Sequence, residues 1–131
     1  MEIINPPTWT PPKGYNNGVK TTAGQLVFIA GQVAWDEHER IVGGDDFAAQ
    51  FDRALANVLT VLGEAGGKPS DLVKLTIFVT DKQAYIEARS KIGQAYRQRM
   101  GKHYPAMTLV EVEDLLEEGA LVEIEGIAVI E

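Results

Sequence analysis

A chain of 131 residues, 45% hydrophobic and 24% charged, fits one domain over residues 1–131 and leaves no room for a second core. Its net charge of −7 and scattered basic residues speak against nucleic acid or an anionic membrane as the main partner, because phosphate binding needs clustered Lys and Arg. The absence of cysteine excludes a disulfide framework, a thiolate metal site and a cysteine nucleophile.

The opening MEIINPPTWTPPKG has no basic segment leading into an apolar stretch, so it does not read as a signal peptide. No apolar run reaches the roughly 18 residues of a membrane helix. A cytoplasmic protein is expected. Pro6, Pro7, Pro11 and Pro12 keep the first dozen residues extended or turning, as an arm along the surface. Val19–Lys20 and Leu26–Ala30 read as strands. The second is almost continuously apolar from Gln25, as a strand buried on both faces would be.

Asp45 and Asp46 open a helix whose apolar residues recur every three or four positions, from Phe47 through Phe51, Leu55 and Val58 to Leu62. Gly63, Gly66 and Gly67 supply its stop. Gly63–Lys68 faintly suggests a phosphate loop, but it misses the required spacing and follows a helix instead of preceding one. Leu72–Val79 is a strand. Asp81 caps a second helix carrying Tyr85, Ala88, Ile92 and Tyr96 to Gly101, with Arg89 near its middle. Ala106–Val112 and Leu121–Ile130 are the last strands.

The order β-β-α-β-α-β-β predicts a two-layer α+β sandwich with two helices on one face of a sheet. If the other face is apolar too, a partner subunit must cover it, so an oligomer is expected. His38 and His103 have no second ligand at zinc-like spacing, and no metal site is expected. Ser70 and Ser90 do not sit on the sharp turn that a nucleophilic serine needs.

The last strand poses the functional question. Side chains alternate, so Glu123 and Glu125 share a face with Leu121, Ile127 and Val129, while Val122, Ile124, Ala128 and Ile130 fill the core face. A salt bridge or a solvated edge accounts for either glutamate alone. A partly buried carboxylate can also orient a water or shuttle a proton.

The stretch Tyr104-Pro105-Ala106-Met107-Thr108-Leu109-Val110-Glu111-Val112, followed by Val122-Glu123-Ile124-Glu125, resembles the signature of the Rid family, formerly the YjgF/UK114 proteins. The resemblance extends through Gly14-Tyr15, Phe28-Ile29-Ala30-Gly31-Gln32, the first helix and Thr76–Asp81, nearly the whole chain. It implies a chorismate-mutase-like fold with a mixed sheet and a homotrimer with small-molecule pockets between subunits, with no cofactor expected. It also implies hydrolysis of reactive imines or enamines such as 2-aminoacrylate. By motif, Glu123 looks like the glutamate that positions the attacking water, Tyr15 like the pocket tyrosine, and Gly31 like the glycine lying against the ligand. Leu109 is expected to line the same pocket.

One departure bears on the substrate. The active branch has arginine after the Pro-Ala pair, gripping the substrate carboxylate; this chain has Met107. Losing such a pair costs roughly 2–5 kcal/mol. Arg89, where relatives often have asparagine, is either a surface arginine paired with Glu87 or a substitute cation. Two functions are then open. One is a divergent deaminase with an altered substrate range; the other is a non-enzymatic, metabolite-binding or regulatory trimer. A ribonuclease, a label some relatives carry, is disfavoured by the acidic balance.

Overall fold

The computed structural model describes residues 1–131. Strand β1 (Glu2–Ile4) pairs antiparallel with β2 (Gly18–Lys20) in a small ribbon, Ile3 opposite Val19. The sequence predicts an extended arm but no strand there, since three residues ahead of a Pro-Pro pair carry no readable period. Asn5, just past β1, ties the ribbon to the segment ahead of β2. Its Nδ2 donates to Asn16 Oδ1 at 2.8 Å, and its Oδ1 accepts from the Asn17 N–H at 2.9 Å.

The main sheet comprises β3 (Gln25–Gln32), β4 (Leu72–Val79), β5 (Ala106–Glu111) and β6 (Val122–Ile130), in the spatial order β3-β6-β4-β5. β6 runs antiparallel to both of its neighbours, and β4 and β5 are parallel. Helix α1 (Phe47–Glu64) begins at Asp46, whose carboxylate accepts from the Ala49 N–H at 3.1 Å, satisfying a donor that the first helical turn leaves free. It ends at Ala65, with Gly66 at φ +86° and the Gly67 N–H bonded to the Leu62 carbonyl at 3.0 Å. The glycine run is therefore a helix stop.

The second helix is two helices. Asp81 caps α2 (Lys82–Glu87) as expected, accepting from the Gln83 and Ala84 N–H groups. Ala88 then breaks the axis, and α3 (Arg89–Met100) starts afresh. Periodicity hides this break, because Tyr85, Ala88 and Ile92 keep helical spacing across it. Arg89 accordingly opens α3 and does not lie mid-helix.

Phe51, Leu55, Val58 and Leu62 of α1 and Ile92, Tyr96 and Met100 of α3 pack on Leu72, Leu75, Ile77, Val79, Val122, Ile124 and Ala128. Each such side chain taken fully out of water contributes about 1.5–3 kcal/mol. The opposite face of the sheet is bare. Phe28 is 71% and Leu26 62% exposed, so within one chain β3 is buried on one face only, not on both.

Candidate functional site

Gln50 sets the start of β6. It is wholly buried in α1; its Nε2 donates to the Gly44 and Gly119 carbonyls, and its Oε1 accepts from the Leu121 N–H at 2.9 Å. Leu121 thereby packs against the core just ahead of the strand, and does not share the glutamates' face as alternation predicts. Val129, opposite the exposed Leu26, does lie on the glutamates' face, but it is buried there at 5% exposure against Gly24.

Glu123 and Glu125 do lie on the bare face, opposite Phe78 and Thr76 of β4, while Val122 and Ile124 oppose Val79 and Ile77 on the core side. Glu123 is half-buried, and its carboxylate accepts no hydrogen bond and meets no cation within the chain. A Cβ placed on Gly31 would lie 2.0 Å from Glu123 Oε2. The carboxylate thus rests directly on the glycine backbone. Burial is the main cause raising its pKa, helped by the nearby charges of Glu125 and Glu117, because each disfavours the ionised form. Glu125 itself is exposed, in a hollow with Lys74, Thr76 and Phe28.

The other predicted residues gather elsewhere. Met107 and Leu109 oppose Leu75 and Ile77, so both point to the helical side of the sheet. The arm brings Tyr15 to them. Asn16 forms a parallel bridge with Ala106, its N–H donates to the Pro105 carbonyl at 3.2 Å, and its Nδ2 donates to the Tyr104 carbonyl. Tyr104 in turn stacks on Tyr96, ring centroids 5.0 Å apart, and the Tyr96 hydroxyl donates to the His103 carbonyl. Desolvation pushes the Tyr96 pKa far up, so this hydroxyl stays neutral.

Two adjoining hollows result. One, of about 290 Å³, is lined by Tyr15, Met107 and Leu109; the other, of about 320 Å³, by Arg89, Arg97, Tyr96 and Met107. Lys13, Gly14, Ile77 and Tyr85 belong to both. The six predicted site residues therefore form two half-sites. Gly31 and Glu123 occupy the bare face, while Tyr15, Arg89, Met107 and Leu109 occupy the helical side near the β5 edge. Sequence reasoning passed over Lys13 and Arg97; the spacing of Arg89, Gly93 and Arg97, each four residues apart, was the available signal.

No three His, Cys, Asp or Glu side chains are grouped to hold a metal ion. His103 Nε2 sits 2.7 Å from the Leu72 carbonyl, a structural contact. No helix is long and apolar enough to cross a membrane.

The family model described as Endoribonuclease L-PSP matches residues 8–130. A RutC family protein of Pyrococcus abyssi is 31% identical over 114 residues, 87% of this chain and 84% of that protein. Among solved structures, YyfB of Yersinia pestis, described as a protein of unknown function of the conserved Rid family, superposes with a TM-score of 0.88. It is 34% identical, with 98% of each chain covered. E. coli TdcF with bound serine superposes with a TM-score of 0.69 at 30% identity over the full length of both chains. With its chorismate-mutase-like α+β fold, this chain belongs to the Rid (YjgF/YER057c/UK114) family.

Proposed function

We propose that the protein is a hydrolytic deaminase of reactive imine or enamine metabolites, working as a homotrimer in which each pocket joins two half-sites. The observation that carries this is Glu123: a half-buried carboxylate on a largely apolar face, without a donor in its own chain, lying on Gly31. Its raised pKa brings it closer to the range in which a carboxyl group both accepts and returns a proton. In the proposed step, Glu123 takes a proton from water as the oxygen attacks the C=N carbon. Its return to nitrogen gives a carbinolamine, and a second transfer through the same carboxylate, from the carbinolamine hydroxyl to nitrogen, lets ammonia leave as the carbonyl forms.

Trimerisation would cover Phe28 and Leu26, whose exposure is costly for an isolated chain. It would also bring one copy's Glu123 and Gly31 to another's Tyr15, Met107 and Leu109, which a single chain keeps on opposite faces of its sheet. Small-molecule binding accords with the serine held by the TdcF relative.

A non-enzymatic metabolite-binding trimer is the second reading, favoured by Met107 standing where the active branch has arginine. Steady-state ammonia release from 2-aminoacrylate and other imines generated in situ separates the two. Release that Glu123→Gln abolishes supports the deaminase. No release above the uncatalysed rate from any imine leaves a binding protein.

A further inference from the structure

We infer that the hollow behind Met107 is an oxyanion subsite, built from Arg89, Arg97 and Lys13, for the acid group of a ligand with an apolar or aromatic body. The inference deepens the pocket proposed above and rests on it.

The charges themselves point there. The chain has nineteen acidic residues against twelve basic ones, yet three of the residues lining this hollow are cations and none is an acid. The five arginines divide cleanly. Arg40, Arg53 and Arg99 have carboxylate partners in Asp36, Glu37 and Asp52. Arg89 and Arg97 have none, and both face the same hollow. The expected surface pair between Arg89 and Glu87 does not form. Arg89 commits only its Nε, to the Ile86 carbonyl at 3.3 Å, which leaves its Nη groups available. An oxyanion is what a guanidinium fork recognises through parallel N–H donors.

Arg97 has an alternative use, because a cation in the last turn of α3 offsets the helix dipole. Its geometry argues against that use. The guanidinium folds back toward the start of the helix, and a Cβ on Gly93 would lie 3.1 Å from Arg97 Nη1. Glycine within a helix costs about 1 kcal/mol relative to alanine. Here it clears the surface over which Arg97 lies. Arg89, Gly93 and Arg97 are spaced by four, so the two guanidinium groups rise from one stripe of α3.

The remaining walls define the rest of the ligand. Tyr85, Tyr104, Ile92 and Met107 provide an apolar, partly aromatic surface. Met107 is unbranched and flexible, and so makes room for a ligand to reach the helix-borne cations past the position where relatives carry their arginine.

Calorimetric titration of the wild-type protein with phenylacetate, phenyl phosphate and neutral 2-phenylethanol tests this. Both acids should bind more tightly than the alcohol, and their relative affinities distinguish a carboxylate from a phosphate preference. Arg89→Gln and Arg97→Gln should each weaken the acids about tenfold or more and leave alcohol binding unchanged, with melting temperatures confirming the fold. Arg97→Lys, which keeps the charge and loses the fork, should fall between. The inference is overturned if neither acid binds wild type at millimolar concentration, if the alcohol binds as well as the acids, or if the double glutamine variant binds them normally. Glu123→Gln separates this from the catalytic reading: hydrolysis that survives it sinks the role given to Glu123, hydrolysis absent from wild type sinks the deaminase, and either result leaves arginine-dependent acid binding standing.

Discussion

Glu123 and Gly31 are in direct contact, with a carboxylate oxygen occupying the space that any side chain at position 31 would need. Adding one methyl group there should be mechanically cheap, because the far end of a flexible glutamate can swing aside. Gly31→Ala should therefore change stability by about 1 kcal/mol or less. It should nevertheless suppress the Glu123-dependent reaction by about a hundredfold, the usual worth of a well-placed general base. Thermal melts alongside ammonia-release rates check the pairing; full activity in the alanine variant would show that Glu123 need not lie where it does.

The same carboxylate makes stability fall as pH rises. Burial and neighbouring acids raise its folded pKa above the unfolded value of about 4.3. Between those two values the folded state holds more proton than the unfolded state, so stability drops as pH climbs through the window. Glu123→Gln should melt above wild type at pH 7, with the gap closing below about pH 4, where both states of the glutamate are protonated. Melting curves across this range would contradict the assignment if the gap were independent of pH.

Phe28 is the most exposed aromatic side chain of the bare sheet face. If copies of the chain meet there, Phe28→Asp would bury an unpaired charge in the interface, at a cost of several kcal/mol. The variant should dissociate to folded monomers and lose any activity that requires both half-sites. Light scattering of wild type at micromolar concentration should give three times the chain mass. A wild-type monomer would refute the trimer.

Asn16 is the clasp between the arm and β5, through the Pro105 and Tyr104 carbonyls and through Asn5. Asn16→Ala removes the side-chain bonds to Tyr104 and Asn5 and should cost about 1–3 kcal/mol. Tyr15 would then lose its fixed position beside Met107. Proteolysis within residues 1–17 should accelerate first, and ligand affinity should fall even where the core melts normally.

Gly93→Ala offers a separable outcome. It should stabilise α3 by about 0.5–1 kcal/mol and, by crowding Arg97 Nη1, weaken phenyl phosphate binding. A variant that is both more stable and equally tight would show that Arg97 has room to spare.

Local signals were enough to read most of the elements from the sequence. The Asp46 and Asp81 caps, the glycine stop after Leu62, and the apolar periods of α1, β4 and β6 all depend on residues close in the chain, where hydrogen-bond capping and side-chain alternation act. The family motifs named Glu123, Gly31, Tyr15 and Met107 as site candidates. Tertiary structure decided what lies across from what. It paired β1 with β2, broke the helix at Ala88 without disturbing its apolar spacing, and turned Leu121 inward through a hydrogen bond to Gln50, distant in sequence. It also placed Glu123 and Met107 on opposite faces of one sheet and gathered Lys13, Arg89 and Arg97 around one hollow. Such relationships depend on strand register and on packing between segments far apart in sequence, and local periodicity carries no record of either.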